Sequence, residues 1–265
     1  MSNLLAGKSG LIFGVANDRS YAWHIAQSLV GAGARCAFTC LPGEKNERRT
    51  RKAVESLEGG PGPEAWVRPC DAGKDEDIDA VFDAYTNDHD RLDFVIHSIA
   101  FADREWLQPG KFADTPRAAY LAAVDISAYT LAAMASRARE PMKAGGGGSI
   151  IAMSYYGSEK VVPGYNVMGV AKAALECTAR YLASELGEHN IRVNTISGGP
   201  LRTLASSAVG GIDTMLEATP RKAPLRRNVE GPDVGGAAAF LVSDLSSGVT
   251  GENLYVDCGV STVGV

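Results

Sequence analysis

The feature that most limits what this chain can become is a regular alternation. Short β-rich runs lie at 10–15 (GLIFGV), 35–41 (RCAFTCL), 64–71 (EAWVRPCD), 92–100 (LDFVIHSIA), 148–155 (GSIIAMSY), 191–197 (IRVNTIS) and 253–259 (NLYVDCG). Several are apolar at consecutive positions, as strands covered on both faces must be. Helical patterns fall between them, near 20–32, 44–58, 74–88, 114–143, 165–188 and 232–242. Strand–helix–strand alternation requires right-handed crossovers, so the pattern predicts a doubly wound α/β fold: a seven-stranded parallel sheet with helices on both faces.

The alternation continues unchanged across AGGGGS at 144–149, which therefore reads as a helix end turning into the fifth strand. A single domain over 1–265 is expected. The one long irregular connection is 199–223, with Gly210 and Gly211 inside it, and long connections in compact domains tend to be lids or binding loops.

Charge and composition exclude several functions. A net charge of −5 provides no electrostatic footprint for nucleic acid. No apolar run approaches the ~20 residues of a membrane helix, and the first residues lack a signal-peptide core. A cytoplasmic protein with no membrane or nucleic-acid partner is expected. The five cysteines are irregularly spaced and the four histidines scattered, so no metal site is expected and the cysteines read as small buried hydrophobes.

In an open parallel sheet, ligands gather at the carboxyl ends of the strands. After the first run come Gly14, then Ser20 as a helix cap, with Ala22, Ile25, Ala26 and Leu29 as the buried stripe. A helix N-terminus there offers N–H groups to a pyrophosphate. Only the first glycine of G-x-G-x-x-G is present, so an ordinary strand–turn–helix joint reads equally well. Asp71 closes the third run and could take an adenine amino group or cap the next helix. Ser98 and Ala100 close the fourth with side chains small enough for a ribose to approach.

The chemical end is SYYGSEKVVPGYNVMGVAKAALE at 154–176. Residues seven apart on a helix share a face to within ~20°, which puts Tyr165 and Lys172 on one side. Tyr155 stands at the end of the fifth strand. A phenol is a neutral donor at pH 7, and a neighbouring ammonium strengthens it. Packing tyrosines and a solvated lysine would explain the pattern alone, but the apolar neighbours of Lys172 are an odd setting for a solvating charge.

These segments resemble the short-chain dehydrogenase/reductase superfamily, and within it the bacterial enoyl-acyl-carrier-protein reductases. The resemblance runs over about residues 5–260. It rests on GVANDRSYAWHIAQ, HSIAFA (97–102), DIS (125–127), YNVMGVAKAALE (165–176), RVNTISGGPLRTLA (192–205) and FLVSDLSSGVTGE (240–252). The Tyr-x6-Lys spacing separates it from carbonyl-reducing members, which use Tyr-x3-Lys. The resemblance implies a Rossmann-like reductase that reduces the trans-2 double bond of an enoyl thioester with NADH.

It implies that Tyr155, Tyr165 and Lys172 are catalytic. Cofactor contacts would come from Gly14, Ser20, Tyr21, Leu41, Asp71, Ala72, Ser98, Ala100, Lys172, Leu201 and Thr203. Ala102, Tyr155, Tyr165, Met168 and Leu204 would meet the substrate. Tyr21 and Leu41 depart from the usual family residues. No basic residue directly follows the second run, and the basic stretch at 45–52 reads as a solvated helix face, which favours NADH over NADPH. A homotetramer acting on substrates carried by acyl carrier protein or CoA is the further implication. Family members carry a basic trio for the carrier, and here those positions are Gly210, Asp213 and Thr214. A carbonyl or imine reductase on the same scaffold, and a dinucleotide sensor without turnover, are the competing readings.

Overall fold

The computed structural model describes residues 3–204 and 206–264; Ala205, which closes the RTLA motif, lies outside them. One seven-stranded parallel sheet is built from β1 (Ser9–Phe13), β2 (Arg35–Cys40), β3 (Val67–Pro69), β4 (Phe94–His97), β5 (Gly148–Ser154), β6 (Ile191–Gly198) and β7 (Asn253–Val256). The spatial order is β3-β2-β1-β4-β5-β6-β7, so the winding reverses between β1 and β4. That is the switch point at which doubly wound sheets open a crevice.

The helices are α1 (Tyr21–Gly31), α2 (Glu44–Glu55), α3 (Asp75–Asp88), α4 (Arg117–Val124), α5 (Thr130–Ala144), α6 (Val167–Leu186), α7 (Ile212–Lys222) and α8 (Gly231–Val242). Alternate strand residues feed two cores. Ile12, Phe38, Phe94, Ile96, Ile151 and Ile196 pack with α1, α2 and α8. Leu11, Phe13, Val95, Ile150, Ala152 and Val193 pack with α3, α5 and α6. Each of the larger of these side chains contributes ~1.5–3 kcal/mol of burial free energy, which fixes strand register on both faces.

Three expectations change. The region 199–223 is not wholly irregular: α7 occupies Ile212–Lys222. Its apolar residues Ile212, Met215 and Leu216 had helical spacing, but Gly210–Gly211 and Pro220 masked it. The helix expected at 114–143 is interrupted by a π turn at Asp125–Tyr129. With that turn it runs from Arg117 to Ala144, and one window reaches a mean hydropathy of 1.4, long and apolar enough to cross a membrane. Alanines rather than a continuous run of large apolar residues supply that hydropathy, and Leu131, Met134, Ala135, Ala138 and Met142 are buried in the core. Finally, β3 and β4 are shorter at both ends than the runs that announced them; before β3 the chain makes a 3-10 turn at Gly62–Glu64.

The glycine run behaves as expected. Gly146 and Gly147 take positive φ (90° and 125°), and β5 begins at Gly148.

Candidate active site

The crevice begins at Gly14. Its φ is +98°, and a Cβ there would fall 2.1 Å from the Ser98 carbonyl oxygen. Only glycine lets the ends of β1 and β4 approach this closely. Ser20 caps α1: its Oγ accepts from the Trp23 N–H at 3.3 Å and donates to the Asn17 carbonyl at 2.8 Å. Ala22, Ile25, Ala26 and Leu29 form the buried stripe of that helix, as the spacing predicts.

Tyr21 does more than its position foretells. Its hydroxyl donates to the Gly199 carbonyl, and its ring lies against Gly198. Burial raises its pKa, so the phenol stays a donor. The turn after β1 is thus tied directly to the end of β6.

The other residues expected to contact cofactor line the same edge. Leu41 follows β2 and is 59% exposed. Asp71 follows β3; its Oδ1 accepts from the Gly73 N–H at 3.1 Å, and Lys74 stands 3.6 Å away. It forms a local turn rather than a helix cap, since Lys74 holds the capping position of α3. Ala72 is buried beside it, whereas beyond β4 Ser98 is half-buried and Ala100 exposed. Leu201 is half-buried after β6, and Thr203 exchanges two hydrogen bonds with Ser206, at 2.8 and 3.0 Å.

The chemical centre lies past β5. Tyr155 and Tyr165 meet edge to face with ring centroids 4.8 Å apart. Tyr165 precedes α6 rather than standing on it: Asn166 is the capping residue, with φ +45°, and Val167 opens the helix. The Asn166 side chain holds this unusual backbone by donating to the carbonyls of Trp106 (2.8 Å) and Gln108 (2.7 Å). So the face-sharing argument for Tyr165 and Lys172 does not describe the geometry; a pinned turn delivers Tyr165 instead. Ala102, Tyr165 and Met168 share one apolar cluster with Leu107 and Val167, while Leu204 stays half-exposed at 51%.

Lys172 is 5% exposed. Its Nζ donates to the Met153 carbonyl at 2.7 Å, and among the described residues no other acceptor takes its remaining protons. Burial lowers its pKa to about 8, against an opposing pull from Glu176. Burial raises Tyr165 above the usual phenol range and pushes Tyr155 up to about 12. Both are therefore neutral donors at pH 7. The Tyr155 hydroxyl rests 3.5 Å from the Met215 sulfur, so α7 meets the phenol pair at Tyr155.

Four contributors escaped sequence reasoning. Glu176, 6% exposed, accepts from the Ser154 hydroxyl at the end of β5. His97 is fully buried at the end of β4, with Nε2 2.7 Å from Thr130 Oγ1. Ser127, in the π turn, accepts from the Phe101 N–H at 3.0 Å and braces the loop after β4. Met215 belongs to α7, which the strand–helix alternation did not include. Helical spacing could have revealed Met215; Glu176 carries no signal of its own until its partner Ser154 is seen, and the π turn has no sequence signal that we recognise. Of the cysteines, Cys177 is exposed on α6, contrary to the buried reading.

The close approach at Gly14, the capped N-terminus of α1, the Tyr155–Tyr165 pair and the buried Lys172 all follow the carboxyl ends of the parallel strands. Residues 14–261 match the family profile described as enoyl-(acyl carrier protein) reductase. The chain is 50% identical over 263 residues to the enoyl-acyl-carrier-protein reductase (NADH) of Nostoc sp., covering 98% of this chain and 99% of that protein. The reductase of Anaplasma phagocytophilum, solved with NAD, superposes with a TM-score of 0.93 at 46% identity, over 100% of this chain and 98% of that one. The Bacillus cereus reductase, solved with NADP+ and an indole naphthyridinone, has a TM-score of 0.94 at 47% identity, over 99% and 100% of the two chains. The chain belongs to the enoyl-acyl-carrier-protein reductase family.

Proposed function

We propose that this protein reduces the trans-2 double bond of an enoyl thioester with NADH, with Tyr165, Tyr155 and Lys172 as its catalytic residues. The observation that carries the reading is the buried Lys172, fixed by one hydrogen bond to Met153 and keeping two protons free, on the helix that follows the edge-to-face pair Tyr155–Tyr165. That donor set fits the ribose hydroxyls of a nicotinamide nucleotide. The open approach at Gly14 and the N-terminus of α1 fit its pyrophosphate.

NADH, when bound, supplies the hydride that goes to the β-carbon of the substrate. Negative charge then grows on the thioester oxygen. Tyr165 donates a hydrogen bond to that oxygen, where a preorganised donor in a dry site counts most. Tyr155 packs edge-on against Tyr165 and lines the acyl pocket with Ala102, Met168 and Leu204. Lys172 holds the ribose and orients the cofactor. Gly14, Ser20, Tyr21, Leu41, Asp71, Ala72, Ser98, Ala100, Leu201 and Thr203 line its binding crevice.

We read residues 1–265 as one cytoplasmic domain with a substrate-binding segment at about 199–223, and the working molecule as a homotetramer. The half-exposed edge strand β7 and the exposed Tyr181 of α6 support the assembly. The natural substrates ride on acyl carrier protein, with CoA esters as alternatives.

The test is NADH oxidation, followed at its absorbance band, with crotonyl thioester as substrate. Turnover of a ketone or an imine in preference to the enoyl thioester would overturn the reading.

A further inference from the structure

The buried face of α6 carries a second ionisable group that the reaction does not use. Lys172 and Glu176 are separated by one helical turn, so both point at the sheet, with side-chain roots ~6 Å apart. They are 5% and 6% exposed. Among the described residues the Glu176 carboxylate has one hydrogen-bond partner, the hydroxyl of Ser154. Ser154 is the last residue of β5, adjoining both Met153, whose carbonyl fixes Lys172, and Tyr155. A buried carboxylate with so few partners is costly unless a charge balances it.

We propose that Glu176 is a positioning residue whose carboxylate, anchored by Ser154, acts as counter-ion to Lys172 and keeps the lysine charged inside its buried site. This rests on the reading of Lys172 as the group that holds the cofactor ribose. Burial alone disfavours an ammonium, and Glu176 is the group that opposes that effect at Lys172. The neighbouring titratable groups cannot replace it. His97, from β4, is neutral, its pKa lowered to about 3 by burial and by Lys172 itself. Tyr155 and Tyr165 are held neutral by burial. Tyr255 on β7 is likewise raised by burial and also feels Glu176. Asp257 is buried beyond β7, where it acts on Tyr155. Glu176 is thus the carboxylate on the lysine's own helix face.

The experiment measures the NADH dissociation constant by fluorescence titration from pH 6 to 9.5. In the wild type, affinity should be level at low pH and fall as pH rises through about 8. Glu176→Gln keeps an acceptor for Ser154 and removes the charge, so the midpoint moves down by about one pH unit while affinity at pH 6 stays within about twofold. Ser154→Ala, which leaves the charge, does not move the midpoint. Glu176→Asp keeps the charge and holds the midpoint within about 0.3 unit of the wild type. An unmoved midpoint in Glu176→Gln, or an aspartate variant that drops as far as the glutamine, overturns the proposal. Lys172→Met separates the two readings. If it binds NADH as tightly as wild type, the role given to Lys172 fails; if it binds weakly at every pH while Glu176→Gln keeps the wild-type midpoint, only the counter-ion proposal fails.

Discussion

Tyr155 and Tyr165 form an edge-to-face pair with ring centroids 4.8 Å apart, one from the end of β5 and the other from the turn that starts α6. The pairing divides labour between them. Tyr165 sits inside the apolar cluster with Ala102 and Met168, whereas Tyr155 reaches the sulfur of Met215 on α7.

Tyr165→Phe should therefore remove the oxyanion donor and little else. The expected cost is ~10²–10³-fold in kcat with cofactor affinity unchanged. Tyr155→Phe should lose less in kcat and more in KM, because its hydroxyl meets Met215 of α7. Steady-state kinetics on crotonyl thioester, together with NADH titration, checks both; full activity in Tyr165→Phe contradicts the assignment.

Gly14→Ala tests the close approach of β1 to β4. A methyl group 2.1 Å from the Ser98 oxygen, on a residue at φ +98°, forces the two strand ends apart. The loss should be ~1–3 kcal/mol of stability, as for other overpacked sites, accompanied by weaker NADH binding. Thermal unfolding with and without cofactor measures both.

How much of this could be read from the chain depended on the kind of signal. Sheet and crossovers were legible because apolar runs such as those containing Leu11–Ile12–Phe13 and Ile150–Ile151 are too short for core helices and alternate regularly with longer helical patterns. Ser20 and Lys172 were legible too, one from its place before a helix, the other from charge in an apolar setting. The delivery of Tyr165 was not. It depends on Asn166 at φ +45°, tied to carbonyls sixty residues earlier, and local pattern says nothing about such partners. Glu176 was hidden for a related reason: on α6 it looks like one more helix glutamate until Ser154 is seen across from it.

His97 gives a pH signature. Its pKa is lowered from 6.5 to about 3, chiefly by burial, so the folded state keeps it neutral while the unfolded chain protonates it below about 6.5. Its contribution is present above pH 6.5 and is lost as pH falls toward 3, at ~1.4 kcal/mol per pH unit. Urea unfolding of wild type and His97→Gln at pH 7 and pH 5 should show the stability gap narrowing by ~2 kcal/mol at the lower pH. A gap that stays constant contradicts a neutral buried imidazole.

Docking of an acidic carrier has few cations to use. Arg202 is paired with Asp213, and Arg227 is held by both oxygens of Asp233 at 2.6 and 2.9 Å. Near α7 this leaves Arg221, Lys222 and Arg226, all exposed. Surface charges of this kind steer encounters and are screened beyond ~8–10 Å at ordinary salt. Comparing kcat/KM for one acyl chain on carrier protein and on CoA should give a small preference that disappears in high salt. Reversing Arg221 and Arg226 to glutamate should remove it at low salt, and a large preference that survives both would contradict this account.

The bond from Tyr21 to the Gly199 carbonyl has a consequence for how the enzyme comes into being. It joins the first crossover to a strand end that leaves the ribosome 178 residues later. The nucleotide crevice is therefore a closing feature of synthesis rather than an early module. A nascent chain that stops before the end of β6 has no partner for that phenol. Retention on an immobilised nucleotide would thus distinguish finished molecules from abandoned ones.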